Sequence, residues 1–523
     1  MDSSSNKNAS NNATDGEPCL SDNASGKELL EDEYDEVKPN PSHDEIGPVR
    51  EGLFIFLICL TQLLTQASLS ETVIPVQTLA KHFKVEHSVG EQSWFTSSFS
   101  LTVGTFILVS GRLGDLYGYK KIYIIAYVVL AIACLITGFT VYTTSTVFFD
   151  VFRSLQGLGL SLAFPNSVAL IGHYYPKGTK RIIFMCCFGA VAPGGFVIGS
   201  FFSNLFVEKA WWPWAFWTFC LVSIGIAISA YFVIPHNIGS HNSPNKGSFD
   251  YLGGVIGMVG LILINFAFNE GPNVGWEKPY VYVLLIVGFI AMGLFFYVEK
   301  RVKYPLVPNE VLKGETGMVL ACIFAGWSSF GVWLVYSTRS LLELDQVEVF
   351  VVNARYIPTL IMGLVAAATA ALTIHRLPVS IIMIMSMVAF FLGNLLNGLR
   401  PVGQIYWAQF FVSSILTPFG MDMSFPAATI VLSHNLPQHQ QGVAASLVAT
   451  FVNYSIAIGL GFAGTVEYYT TKDLPSSMAT TELGIRNALR MGMGLAGLGI
   501  LIAIIFAIYE FIKDRRSPEK EKV

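Results

Sequence analysis

The sequence predicts an all-α polytopic membrane protein with fourteen transmembrane helices, and three observations lead there. Charged residues make up 13% of the 523, where a soluble domain carries roughly 25%. Hydrophobic residues reach 53% and the mean hydropathy is +0.54; a soluble chain of this length would need far more polar surface. The apolar residues fall in unbroken runs of about 20, enough to cross roughly 30 Å of hydrocarbon as helix, whereas a membrane β-barrel would alternate.

The elements follow in order. Residues 1–50 hold 12 acidic and 4 basic residues, a net of −8, so the remaining 473 carry +4 of the overall −4. This Ser-, Asn-, Asp- and Glu-rich stretch cannot bury enough apolar surface to fold alone and reads as a disordered acidic tail. It lacks the apolar core of a cleavable signal peptide. Apolar runs then occur near 52–77, 92–110, 121–140, 147–171, 182–204, 212–234, 251–269, 279–298, 315–337, 354–374, 379–399, 405–432, 443–465 and 487–512, here spans 1 to 14. They group as a first six-helix bundle (51–235), a cytosolic loop with two inserted spans (236–312), a second six-helix bundle (313–512) and a basic tail (513–523).

An even span count puts both termini on one side, and lysine and arginine choose it. With the termini cytosolic, inner loops and the C-terminal end hold 17 Lys and Arg beyond the four of the acidic tail, against 10 outside. The sequons at Asn8, Asn12 and Asn23 then stay unmodified. One of the seven cysteines is in the tail and the rest sit in apolar runs, so no disulfide framework is expected.

Spans 4 and 12 repeat without gaps at an offset of 261 residues. Gly159 maps to Gly420, Phe164-Pro165 to Phe425-Pro426, His173 to His434 and Pro176 to Pro437. A repeat that carries span 4 onto span 12 shifts by eight, which requires six spans, two inserted, then six more. Paired halves with a mid-membrane site between them are the usual architecture of secondary transporters.

Between spans 2 and 3 the chain reads Gly111-Arg-Leu-Gly-Asp115-Leu-Tyr-Gly118-Tyr-Lys120-Lys121. Glycines permit close approach and a sharp turn, and Asp115 beside Arg112, Lys120 and Lys121 can latch one helix to a neighbour. A plain positive-inside turn is the alternative. The spacing resembles the corresponding loop of the major facilitator superfamily, with Leu116 and Tyr119 in place of two of its usual cations. Span 4 carries Arg153-Ser-Leu-Gln156-Gly157-Leu-Gly159, and span 5 carries Gly189, Pro193, Gly194, Gly195 and Gly199, similar to an antiporter signature of that superfamily. The inserted pair, from Phe249-Asp250 to Pro305-Leu306, resembles the fourteen-span branch of drug:proton antiporters. Ala210-Trp-Trp-Pro-Trp-Ala215 and Gly420-Met-Asp-Met-Ser-Phe-Pro-Ala427 look like the fungal aminotriazole-resistance transporters, a group that includes relatives described as borate exporters and low-affinity ammonium transporters. The resemblance implies a major facilitator fold and export of small toxic compounds.

An ionisable group inside a span costs several kcal/mol and is a functional candidate by default. Three stand out. By resemblance Arg153 would serve a proton carrier; its structural alternative is a bond to Asp150, three residues away on the same face. Asp422 lies near the middle or inner half of span 12, where a low dielectric favours a neutral carboxyl and so permits proton coupling; a satisfied contact beside Pro418 or Pro426 is the bland reading. The two levels differ by about 12 Å, which argues against a direct Arg153–Asp422 ion pair. Glu71 in span 1 either titrates in transport or faces a neighbouring helix. A stripe of Gln62, Gln66, Ser70, Val73 and Gln77 points about 140° away from Glu71 and suits a cavity wall. Asn166, Asn453, Trp327, Trp333 and Tyr336 line the cavity or simply pack the helices and the interfacial belt.

The leading function is a proton-coupled secondary transporter exporting small compounds as an antiporter, with inward movement of ammonium or another small solute as the second. No histidine falls inside a span, no Walker-type loop is present, and no His, Asp and Cys cluster suggests a membrane enzyme, a metal or a cofactor. The partners are a small-molecule substrate, protons and lipid, without nucleic acid, and a monomer in the plasma membrane is the default; endoplasmic reticulum or vacuole are the alternatives.

Overall fold

Fourteen helices among the described residues are long and apolar enough to cross a membrane, and no strand occurs among them. The computed structural model describes residues 47–520 apart from 74, 87–88, 176–177, 236–248, 303–304, 308–311, 375, 437–440 and 476. Most of the acidic tail with its three sequons and Cys19, the loop before the inserted pair, and Pro176 and Pro437 lie outside the described residues.

The repeat is written into the packing. In the first bundle span 4 packs on spans 2 and 3, span 3 on span 6, and span 1 on span 5. In the second, span 12 packs on spans 10 and 11, span 11 on span 14, and span 9 on span 13. Adding eight to each number of the first set gives the second. The seams between bundles obey the same shift: span 2 meets span 13 and span 5 meets span 10, while span 4 meets span 13 and span 5 meets span 12. Gly159 and Gly420 show why the repeat kept them. A Cβ on Gly159 would lie 2.9 Å from the Leu130 Cβ of span 3, and one on Gly420 would lie 2.6 Å from the Phe390 ring of span 11, so each glycine admits the same neighbour.

The inserted spans 7 and 8 pack on one another, and span 7 lies along spans 2 and 13. Asp250 starts span 7 by accepting a hydrogen bond from the Gly253 N–H at 2.9 Å, an N-cap that satisfies one of the orphan donors of a helix start.

Several bounds differ from the hydropathy reading. Span 1 runs Pro48–Val73 rather than 52–77, and a separate short helix, Val76–Phe83, follows Pro75. The segment from Gly111 to Tyr117, expected as a loop, is the last two turns of span 2, whose helix is Val89–Tyr117. Gly118 alone makes the turn, at φ +95°, a value that favours glycine, and span 3 starts at Tyr119. The helix continues because its polar residues face protein rather than water: Arg112 and Asp115 are both buried. Span 5 is two helices, Thr179–Ala190 and Ala192–Lys209. Span 10 is likewise Val349–Arg355 and Ile357–Thr373. In both, a proline in the first turn of the second piece (Pro193, Pro358) lacks the N–H that would continue the preceding helix.

Candidate functional site

The two halves meet through their own repeat. Phe164 and its mate Phe425 touch across the bundle interface, ring centroids 6.2 Å apart, and Phe188 stacks on Phe425 at 6.3 Å. Above this aromatic plug lies a cavity of about 30 Å³, room for about two water molecules. Its lining includes Gln66 of span 1, Pro193 and Phe196 of span 5, Phe330 and Trp333 of span 9, Tyr356 and Thr359 of span 10, and Met421 of span 12. The breaks in spans 5 and 10 both border it. Four of the lining rings touch in series: Phe330 stacks on Trp333 at 6.0 Å, Tyr356 meets Trp333 edge-on at 5.9 Å, and Phe196 meets Tyr356 at 6.5 Å.

Contacts between the bundles lie on both sides of the cavity. Beyond it, the Ser200 hydroxyl donates to Asn353 Oδ1 at 2.7 Å, and Phe201 and Phe350 meet at 6.0 Å, joining spans 5 and 10. On the other side, below the aromatic plug, is the Asp115 latch. Asp115 Oδ1 accepts from the Gly442 N–H of span 13 at 3.0 Å and from the Tyr119 hydroxyl at 2.5 Å. Gly111 and Gly442 lie backbone to backbone, since a Cβ on Gly111 would sit 1.9 Å from the Gly442 carbonyl oxygen. The latch therefore crosses between bundles. Lys120 does not join it. Its ammonium donates to the carbonyls of Tyr231 and Ile234 at 2.7 and 2.6 Å, capping the end of span 6, where a cation offsets the helix dipole. Lys121 is exposed.

Asp422 is the middle residue of span 12, Gln409–Asn435, directly after the cavity-lining Met421. It is 2% exposed, and its Oδ2 has no hydrogen-bond partner among the described residues. A Cβ on Gly363 of span 10 would lie 3.1 Å from that oxygen and 3.0 Å from Pro193 Cγ, and one on Gly189 would lie 3.9 Å from Oδ1. The carboxylate thus sits in the seam where span 12 meets spans 5 and 10, just below the cavity. The glycine-rich segment of span 5 has two faces. Gly189, Pro193 and Gly194 look toward spans 10 and 12. Gly195 and Gly199 seat the helix on span 1, where a Cβ would fall 2.2 Å from the Leu63 carbonyl oxygen or 2.4 Å from Ala67 Cα.

Arg153 and Glu71 form a separate centre inside the first bundle. Glu71 faces span 4, and its Oε2 accepts from Arg153 Nη1 at 3.2 Å, with both side chains at most 1% exposed. The guanidinium also donates to the Phe95 and Ser68 carbonyls at 3.2 and 2.9 Å, to the Thr72 hydroxyl at 3.3 Å and to Gln156, and it lies over the Phe99 ring at 4.9 Å. Its hydrogen-bonding carboxylate is Glu71 rather than Asp150, because Glu71 projects across from span 1 at the same level.

The remaining candidates separate. Gln66 lines the cavity and Gln62 is buried. Gln77 is exposed on the short helix past Pro75, off the stripe that a continuous span 1 would have given it. The Asn166 amide donates to Ser110 O and Oγ, both at 3.3 Å, and to Leu162 O at 2.7 Å, binding span 4 to span 2. Asn453 lies at the span 2–13 seam. Trp327 donates to the Ser424 hydroxyl at 3.2 Å and tilts against Phe425 at 6.5 Å, behind the plug. Tyr336 points away from the cavity and donates to Glu467 at 2.8 Å.

Residues 56–381 match the family model of the Major Facilitator Superfamily. The chain belongs to that family. It is a family of transporters, and this facilitator is 43% identical to the low affinity ammonium transporter of Saccharomyces cerevisiae, covering 90% of this chain and 91% of the other. It is 37% identical to the efflux pump terJ of Aspergillus terreus over 94% and 95% of the two chains, and 37% identical to the aminotriazole resistance protein of S. cerevisiae over 90% and 86%. Among solved structures it shares the fold of the human organic anion transporter MFSD10, with a TM-score of 0.61 at 13% identity, covering 88% of this chain and all of that one.

One prediction concerns stability of the facilitator. Removing one partner of a buried ion pair leaves an uncompensated charge and costs about 3–5 kcal/mol. Glu71→Gln is expected to lower the thermal unfolding temperature in detergent clearly, and the apolar double variant Glu71→Leu/Arg153→Met to recover most of the loss. A Glu71→Gln protein that melts with the wild type would show that Arg153 is held by its carbonyl and hydroxyl acceptors alone.

Proposed function

We propose that this facilitator is a proton-coupled antiporter that exports small toxic compounds by alternating access. The observation that carries the reading is Asp422: mid-span, buried, with an unpartnered oxygen, in the seam between bundles directly beneath the central cavity. Rocking of one bundle against the other changes that seam first, so its water access changes in each cycle. An ionised carboxylate without a partner is expensive at mid-membrane, which links its proton to the seam's state. Glu71 and Arg153 stiffen the first bundle behind this site; Glu71 is the second candidate for carrying the proton, with Arg153 as the cation that serves it. The efflux pump and the resistance protein among the relatives support export. The reading takes both termini as cytosolic, which the lysine and arginine distribution supports, the plasma membrane as the default membrane, and a monomer without cofactor driven by the proton gradient.

A second reading, inward movement of ammonium or another small solute such as borate, is favoured by the 43% identical relative and by a small cavity with room for about two water-sized molecules. Purified protein in proteoliposomes with an imposed pH gradient separates the two. Antiport predicts that an inward-directed proton gradient drives aminotriazole out against its own gradient. Uptake predicts that labelled methylammonium enters and aminotriazole does not move. Flux of either compound that ignores the pH gradient would sink the coupling.

A further inference from the structure

The aromatic cavity occupies the seam side formed by spans 5 and 10. The opposite seam, where span 2 meets span 13, differs chemically because span 7 lies along it. Span 7 presents Asn265, Asn269 and Asn273 at intervals of four, which places them on one face. Asn273 is exposed near the Val274 end of the helix, and its amide donates to the Asn269 carbonyl at 3.1 Å. Asn269 in turn donates to the Asn265 carbonyl at 2.9 Å and to the Asn265 side chain, while its own Oδ1 accepts from Ser97 of span 2 at 3.2 Å. The ladder descends about 12 Å from Asn273 to Asn265.

It ends on an unpaired donor. Asn265 is 1% exposed, and its Nδ2 has no hydrogen-bond partner among the described residues. That nitrogen points at Gly104 of span 2. A Cβ built on Gly104 would find Asn265 Nδ2 at 4.0 Å, Asn453 Cβ at 3.9 Å and Tyr454 Cδ2 at 3.7 Å, so a methyl-sized group is accommodated here in ordinary contact. The contrast is with Gly111 and Gly442 on the same two helices, where an added carbon would meet backbone at 1.9 and 2.3 Å. Tyr454 fixes the far wall by donating to the Leu261 carbonyl of span 7 at 2.5 Å.

A buried amide N–H without an acceptor costs roughly 1–3 kcal/mol, and buried polar groups are satisfied by protein or by a small bound molecule. We propose that the niche among Gly104, Asn265, Asn453 and Tyr454 is a second polar site, which binds one water-sized hydrogen-bond acceptor reached along the asparagine ladder from the Val274 end of span 7. The inserted helix thereby gives the facilitator a second polar branch, separate from the aromatic cavity beside spans 5 and 10.

The test uses silver ion, a small thiol probe that travels in water, on the full chain with its seven native cysteines replaced. Modification is read as protection from later alkylation after denaturation. Asn265→Cys is expected to react at least 10-fold faster than Ala267→Cys, a fully buried position two residues along the same helix. Adding Gly104→Ala, whose methyl fills the niche, should slow the Asn265→Cys reaction at least 5-fold. Equal rates at positions 265 and 267, or no effect of Gly104→Ala, would overturn the proposal.

Discussion

Replacing Gly442 with valine is expected to cut transport at least 100-fold in protein that still folds. Gly442 starts span 13 against Gly111 of span 2, and a Cβ there would lie 2.3 Å from the Gly111 carbonyl oxygen and 2.6 Å from Asp115 Oδ1. Contacts under about 3 Å force something to shift, and here the obstacle is main chain rather than a flexible side chain. The bundles must part at this point. Parting also removes the hydrogen bond from the Gly442 N–H to Asp115 Oδ1 at 3.0 Å, a bond to a charged group worth about 1.5–3 kcal/mol. Moving a two-state balance from 99:1 to 1:99 takes about 5.5 kcal/mol, which the clash and the lost bond together approach. Each bundle keeps its internal packing, so the damage falls on one conformation and not on folding. The measurement is flux together with thiol labelling of Ser446→Cys, buried beside Gly111 at the same face, which should rise as transport falls. Asp115→Asn keeps an acceptor and no steric conflict, and a milder loss of about 10-fold follows from the weaker neutral bond. Wild-type flux in the valine variant would show that closure of this face is not part of the cycle.

The parts of this architecture that were legible in sequence are those set by local pattern. Fourteen apolar runs give the spans, and the Phe-Pro pairs at 164–165 and 425–426 give the shift of eight that the helix packing then repeats. Residues whose role depends on closure between distant spans were not legible. Phe196, Phe330 and Tyr356 come from spans 5, 9 and 10, and no spacing along the chain relates them; Trp333, already a candidate as an aromatic of span 9, lines the cavity beside them. Asn166 read as a cavity residue because a polar group in a span draws attention, yet its amide serves the Ser110 pair on span 2. Gln77 looked like the end of a stripe because Pro75 was not taken as a stop. A proline two residues ahead of it was the available signal. The asparagine ladder had a visible signal too, three amides four residues apart, hidden because hydropathy windows average over them.

Asp422→Asn carries the other large expected effect. Its amide has nearly the same size as the carboxyl and cannot exchange a proton, so contacts in the seam persist while coupling does not. The stimulation of transport by a pH gradient should fall at least 10-fold, and gradient-free exchange of substrate across the proteoliposome should survive. The split between those readouts separates a proton carrier from a packing residue, because a packing defect would depress both. Asp422→Glu is not a conservative rescue. A Cβ on Gly363 would fall 3.1 Å from Asp422 Oδ2 and 3.0 Å from Pro193 Cγ, so the carboxylate already reaches into the gap that the glycine leaves, and overpacking of a well-filled seam by one more methylene costs about 1–3 kcal/mol. Both variants should therefore lose driven transport, glutamate through closure of the seam and asparagine through chemistry, and only glutamate should also slow exchange. If asparagine keeps the full response to the gradient, the proton travels elsewhere. Glu71 is then the remaining carboxylate to test, and because it sits on Arg153 inside the first bundle, away from the seam, coupling would have to act through the shape of that bundle instead.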